Sequence, residues 1–429
     1  MAADAIISNR GARLLWPAGV AAATVAFIAV FGWLAVEQLH RFNVFAWDFA
    51  IFDQGLWLLS RFQEPFVTVR GLNLFADHSS YVMVLLAPLY WLWAAPEALM
   101  LLTVVVLGAG IPITYALARA NGAGAPLAAL VAAGYLLHPA ISWNIWEGFH
   151  PELVVVPLVL AAMLLVTRGH QGWALLPVAI ALLAKEDVGL LVVPLGIYVA
   201  FAMRRRMAGL IMAAAGAGAL LLNLAVLLPL LSPSDAPIYT DRYARFGEGI
   251  VGVIWGVITH PGAAASELFA PEAIAYAAAI VLPLPLAFLA PRALALALPA
   301  YVVNALSSSP YQTDIRYHYT VYLVTAVVIA AAIGAGRLLE MAPPVRRALV
   351  TLSVALGLAF GVAVGASPVT LPGAWLDPDP AQDALSAAVA LVPDDAVVAA
   401  WDTSVPLLSQ RREIYVFPVP WDPAGHGEL

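Results

Sequence analysis

The chain has 429 residues, 62% of them hydrophobic and only 11% charged, with a net charge of −7 and no cysteine. An ordinary soluble domain carries about a quarter charged residues, so a soluble globular enzyme is excluded. The acidic balance leaves no basic patch for nucleic acid, and the missing thiols exclude disulfides and thiolate metal sites.

Several apolar runs reach the ~20 residues that cross a ~30 Å hydrocarbon core as a helix. Alternating ten-residue strands are absent, which argues against a closed barrel. The fold class expected is an all-α polytopic membrane protein. The first run, 14–36, follows Arg10 and Arg13 and is longer than the apolar core of a cleaved signal. It predicts a retained helix with a cytoplasmic N-terminus, cleavage near the alanines at 21–23 being the other reading. Placing arginine-bearing loops inside gives about eleven spans. They fall near 14–36, 97–118, 124–142, 152–167, 172–184, 188–203, 208–231, 272–290, 293–306, 318–337 and 346–366. The expected location is the cytoplasmic membrane, with the C-terminus extracytoplasmic.

Threaded this way, every inside loop carries arginine, and only Asp4 and Glu340 among the acids lie inside. Every histidine except His170 falls outside. Segment 81–93 is apolar but short, and Pro88 interrupts it. We expect an interfacial or re-entrant helix there, with Tyr81, Tyr90, Trp91 and Trp93 at headgroup depth. After Pro368 the composition turns acidic and proline-rich, with Asp377, Asp379, Asp383, Asp394, Asp395 and Asp402. The periodicity predicts a helix at 381–392, strands at 396–401 and 413–417, and a short helix at 404–409. The division expected is a transmembrane domain, 1–368, with a large external loop, 37–96, and a small external α/β domain, 369–429. A domain so small is expected to lean on the membrane domain or on an envelope protein partner.

Four outside loops hold polar groups able to do chemistry. In the first, Phe49, Phe52, Leu56 and Leu59 follow at helical spacing, predicting a helix with its apolar stripe on the membrane surface. Asp48 stands where an N-cap would be, and capping is its alternative to a catalytic role. Asp53 lies a turn further on, where neither capping nor the helix dipole asks for an acid. A carboxylate held near apolar surface gains proton affinity and suits a general base, the alternative being a solvated interfacial acid. The two acids point about 140° apart on a helix and need not act as a pair. Asp77 and His78 follow in the same loop.

The next loop brings Glu147, His150 and Glu152, one imidazole and two carboxylates. They form either a polar cluster at helix ends or a site for a divalent ion such as Mg or Mn. Lys185, Glu186 and Asp187 are too costly for hydrocarbon and must meet water or a protein-lined cavity. They read either as a self-neutralised helix break or as a lysine for phosphate beside acceptor-binding carboxylates. Last comes the run Asp314, Arg316, Tyr317 and His318. Arg316 among these neighbours suits phosphate or pyrophosphate better than simple snorkelling to headgroups. Arg242, Arg245 and His260 are weaker candidates, and His138 before Pro139 reads as a satisfied interfacial histidine.

The strings FDQGLW, FVTVRGLNLFADH, YLLHPA, FHPE, KEDVGL and SSSPYQTDIRYHY occur in this order. The chain thereby resembles a bacterial and archaeal membrane-protein family, domain-of-unknown-function family 2079, from about Phe45 through Tyr319. More distantly it is similar to the GT-C class of membrane glycosyltransferases. That resemblance implies a first-loop acid, Asp53 or Asp48, which deprotonates the acceptor hydroxyl. It implies an acidic metal site in the loop of Glu147, His150 and Glu152, although no Asp-x-Asp stands there. It implies phosphate contacts from Arg316 and His318 in the late external loop. From the loops themselves, Lys185 is a further candidate for phosphate, and Asp77, His78, Glu186, Asp187, Asp314 and Tyr317 are candidate substrate-binding residues.

The expected activity is transfer of a sugar from a polyprenyl-phosphate donor at the outer face, with an apolar groove between helices for the lipid chain. A transporter or flippase for a lipid-linked or anionic solute is the alternative, but transporters place polar residues at mid-membrane on repeated broken helices. A non-catalytic assembly or sensor protein, binding a partner through its tail, is the third reading.

Overall fold

The computed structural model describes residues 2–232, 239–377 and 380–419. Asp379 and the last ten residues of the expected tail domain lie outside the described residues. Six helices among the described residues are long and apolar enough to cross a membrane: Leu14–His40, Pro96–Ala120, Ala125–Glu147, Arg206–Leu231, His318–Leu338 and Pro343–Ala363. A seventh is counted if Gly249–Thr259 and Pro261–Leu268, bent by 94° at His260, form one span. The shorter apolar helices Pro151–Thr167, Pro271–Val281 and Pro291–Leu306 occupy other expected spans. At ~1.5 Å per residue they fall short of a full crossing. Prolines and charged turns explain the shortness: helix Leu175–Ala181 stops before Lys185, and the next helix, Gly189–Ile197, begins just after Asp187.

The bundle is organised around helix Val321–Leu338, in which nearly every residue is buried. A helix that is apolar all round belongs at the centre. Its neighbours include Pro96–Ala120, Val155–Thr167 and the 3-10 turn Pro285–Leu289. Gly334 permits the last contact, because a Cβ there would collide with the Leu286 carbonyl.

The apolar stripe of the first loop packs into the protein. Phe49, Phe52 and Leu56 are buried in the protein core, at 1%, 4% and 0% exposure. Phe52 meets the rings of Phe149 and His150 edge-on. The stripe is amphipathic as expected, but protein rather than lipid covers it. Pro88 divides segment 81–93 into Val82–Leu86 and Leu89–Leu92, as its missing N–H requires.

The C-terminal elements occur where the periodicity places them: helix Gln382–Ala390, strand Val398–Ala400, the 3-10 turn Asp402–Leu407 and strand Ile414–Val416. The two strands pair in parallel. They do not form a detached unit. Thr68 Oγ1 donates to the Ile414 carbonyl at 2.7 Å, and Ile414 N–H returns to Thr68 Oγ1 at 2.9 Å. Gln54 Nε2 donates to the carbonyls of Arg411 and Arg412, both at 3.1 Å. The tail is therefore clasped to the first loop through buried polar pairs, each costly to leave unmade.

Two cavities bear on function. An apolar one of about 620 Å³ lies among Trp16, Val20, Ile111, Leu130, Leu136 and Val350. The other, of about 710 Å³, lies at the loop end of the bundle and is lined by many charged side chains.

Candidate functional site

The polar cavity gathers residues from all four loops singled out in the sequence. Asp48, Asp77, His78, Glu147, His150, Glu152, Lys185, Arg316, Tyr317 and His318 all line it. Asp53, Glu186, Asp187 and Asp314 do not.

Asp48 sits in the turn Ala46–Ala50, with φ 76° and ψ −75°. A positive φ of this kind is a strained γ-turn for a residue with a Cβ, and strain of about 1–3 kcal/mol persists only where surroundings enforce it. The conformation is not that of an N-cap; Ala50 precedes helix Ile51–Ser60. The carboxylate is half-exposed to the cavity, with Oδ2 3.7 Å from His150 Nε2. Burial opposes its ionisation, but His150, with Lys185 and His78 beyond, holds its pKa below the ordinary carboxylate value.

Asp53 is elsewhere. It is 0% exposed and accepts from Tyr90 Oη and from Ser409 Oγ at 2.6 Å. Burial pushes its pKa up to about 6, with the hydroxyl donors working against the shift. Its proton affinity is that of a general base, as the sequence suggests, but it faces a structural node rather than the cavity.

At the centre of the site three groups converge. Gly148, with φ 100°, turns the chain sharply between Glu147 and Pro151, and a Cβ on it would press on the Phe49 ring at 3.2 Å. The turn directs both Glu147 and His150 into the cavity. His318, at the outer end of the central helix, has Nδ1 2.8 Å from Glu147 Oε1. Its ring stacks on His150 with centroids 4.0 Å apart. Glu147, His150 and His318 each offer one ligand atom, all within 4.8 Å of one another. Glu147 Oε2 and His150 Nε2 are buried without a hydrogen-bond partner. Orphaned atoms of this kind in a mixed imidazole and carboxylate set fit a borderline divalent ion such as zinc or manganese better than magnesium. Glu152, expected as a ligand, is instead tied to Lys185 Nζ at 2.7 Å. The Glu147 and Asp48 carboxylates keep the pKa of the buried His150 up at about 9, against the effect of burial itself.

A cationic wall flanks this centre. Lys185 is 6% exposed; burial opposes its charge, but Glu152 and Asp187 drive its pKa well above the ordinary value. Arg70 pairs with Asp77 at 3.2 Å, and Tyr239 donates to the same carboxylate at 2.9 Å. Arg242 Nη1 donates to Tyr319 Oη at 3.1 Å and stacks over Tyr239. Among the described residues no acid pairs with Arg242, which leaves it the freest cation of the wall. His78 stacks on Tyr239 and contacts Glu186 at 2.9 Å. Glu186 thus acts behind the cavity, where it also accepts from Ser79 N–H at 3.0 Å. Asp187 accepts from Tyr322 Oη at 2.5 Å. Arg316 reaches the cavity mouth, but Asp314 holds it in a fork, with Nη2 to Oδ2 at 2.6 Å, and it is the most exposed cation there.

Arg242, a weaker candidate in the sequence, also lines the cavity, as do Trp47, Trp143, Trp146 and Tyr319, which the sequence did not single out. Asp402, grouped in the sequence with the other tail acids, lines the cavity as well. One signal was available: Lys185 is the chain's only lysine. His138, by contrast, is fully buried as a helix N-cap, with Nε2 2.8 Å from the Ile280 carbonyl.

Comparison with known proteins agrees with this architecture. No curated protein matches the chain in sequence. Among solved structures, ArnT from Cupriavidus metallidurans bound to undecaprenyl phosphate superposes with a TM-score of 0.52 at 16% identity, over 94% of this chain and 86% of that one. The same protein in the apo state gives a TM-score of 0.53 at the same identity and coverage. The shared fold is GT-C-like. The model of the family described as "Predicted membrane protein (DUF2079)" matches residues 38–422. The chain belongs to this family of multi-pass membrane proteins.

Proposed function

We propose that the protein transfers a sugar from a polyprenyl-phosphate donor to a hydroxyl acceptor at the outer face of the cytoplasmic membrane. The observation that carries this reading is the cavity itself. It joins a carboxylate, Asp48, to a wall of cations at the loop end of a lipid-facing bundle. ArnT, which shares the fold, was solved with undecaprenyl phosphate, a lipid of the class proposed here as carrier.

In this reading Lys185 and Arg242 hold the donor phosphate. Asp48 accepts the proton of the acceptor hydroxyl as its oxygen bonds to the anomeric carbon. The bond from that carbon to the phosphate oxygen breaks with inversion, and its electron pair leaves on the polyprenyl phosphate, where the cations stabilise it. Because its pKa is depressed, Asp48 is ionised before substrate arrives and takes the proton late in the step. Glu147, His150 and His318 would hold a divalent ion, which when bound would supply further stabilisation for the leaving phosphate. Arg316, tied to Asp314, lies at the rim and serves the entry of substrate.

The test is transfer from labelled polyprenyl-phosphate sugars by purified protein in lipid discs. Asp48→Asn is expected to lose about a hundredfold or more in turnover. Wild-type protein that forms no covalent product with any such donor, yet moves lipid-linked sugar across proteoliposome membranes, would overturn the reading.

A further inference from the structure

We propose that Asp402 is a positioning residue, which holds the Trp47–Asp48 turn in its strained form so that the C-terminal segment completes the cavity. The inference rests on the reading of Asp48 as the proton acceptor. Asp402 opens the 3-10 turn Asp402–Leu407, more than 350 residues along the chain from the first loop. Its Oδ1 accepts the Ala46 backbone N–H at 2.8 Å. Ala46 begins the turn in which Asp48 has φ 76°. The hydrogen bond therefore fixes the chain two residues before the strained one.

Three features argue that this contact is built. Strain of this size relaxes unless surrounding bonds over-determine the backbone. The bond from Asp402 is charge-assisted, the stronger kind. The remainder of the tail is anchored independently, by Ser409 Oγ on Asp53 at 2.6 Å and by the Thr68–Ile414 pair. Asp402 thus sits on a fixed platform, half-buried, with its carboxyl on the cavity wall. The sequence offers no local alternative: Phe45 N-caps the turn without a side-chain hydrogen bond. On this account the tail belongs to the active site, although none of its other described carboxylates lines the cavity.

Two variants separate positioning from direct chemistry. Asp402→Ala removes the acceptor for Ala46 N–H; Asp402→Asn keeps an amide oxygen able to accept it. Hydrogen–deuterium exchange of the full-length protein in lipid discs reads the turn without reference to activity. In Asp402→Ala the amides of 44–50 should exchange at least tenfold faster, while those of 66–77 and 410–417 stay unchanged. Transfer assays should show kcat down at least tenfold with the KM for a polyprenyl-phosphate sugar within threefold of wild type. Asp402→Asn should recover most of kcat and protection. Unchanged exchange in Asp402→Ala overturns the proposal, as does an Asn variant as poor as Ala, which would mark a direct role for the charge. If the exchange result holds but wild type itself transfers no sugar, the positioning of the turn stands and the transferase reading fails.

Discussion

Two acids five residues apart in the first loop have been given opposite environments. Asp48 is strained, half-exposed to the cavity, and kept ionised by His150. Asp53 is relaxed inside a helix, sealed from solvent, and carries a raised pKa of about 6. Burial raises proton affinity in both, but they differ in exposure and in neighbours: the His150 imidazole for one, neutral hydroxyls for the other. The contrast teaches that proton affinity alone does not locate a base. Access to the reacting group comes first, and of the two acids only Asp48 lines the cavity.

The largest effect that would sharpen this contrast is on turnover. Asp48→Asn should lose about a hundredfold or more, with no loss of thermal stability, whereas Asp53→Asn should keep activity within a few-fold. Parallel transfer assays and melting curves check both, and equal loss in the two variants would break the distinction.

Next is a pH effect from Asp53 alone. Its folded pKa of about 6 lies above the ordinary 3.8, so the folded state binds this proton more tightly than the unfolded chain. The contribution is fully present below about pH 4 and is lost as pH rises through 6, a difference of roughly 3 kcal/mol. Wild type should therefore lose stability relative to Asp53→Asn between pH 4 and 7 in unfolding experiments. A difference between the two that stays constant with pH would contradict the buried node.

On the cationic wall, Arg242→Ala should raise the donor KM about tenfold or more, as loss of a charge-assisted hydrogen bond does. Arg316→Ala, whose guanidinium is already engaged by Asp314, should change it less than about threefold by the same measure, because exposed pairs contribute little. The smallest effect expected is a gain: Asp48→Gly relieves the positive φ and should stabilise the fold by about 1 kcal/mol while abolishing transfer. Destabilisation by that change would show that the turn is not strained.

Much of the architecture was legible in the sequence because the governing physics is local. Apolar run length and arginine placement located the helices, and period-two and period-three patterns located the short tail elements. The convergence of Asp77, Glu147, Lys185 and His318 followed from their shared side of the membrane. What the sequence hid depends on contacts between distant segments. Ser409 and Tyr90 hold Asp53 buried away from the cavity, and Asp402 reaches the turn of Asp48 across most of the chain. Glu152 looked like a metal ligand by its spacing from Glu147 and His150, but it pairs with Lys185, and His318 lies with Glu147 and His150 instead. The number of full crossings was also obscured, because prolines shorten helices that composition alone would extend.

The most direct test of the account is a structure of the protein with undecaprenyl phosphate in lipid discs. The account predicts the phosphate within hydrogen-bond reach of Lys185 or Arg242, on the cavity side of Asp48. A phosphate bound away from both cations, or a lipid seated only in the apolar cavity by Trp16 and Leu130, would contradict it.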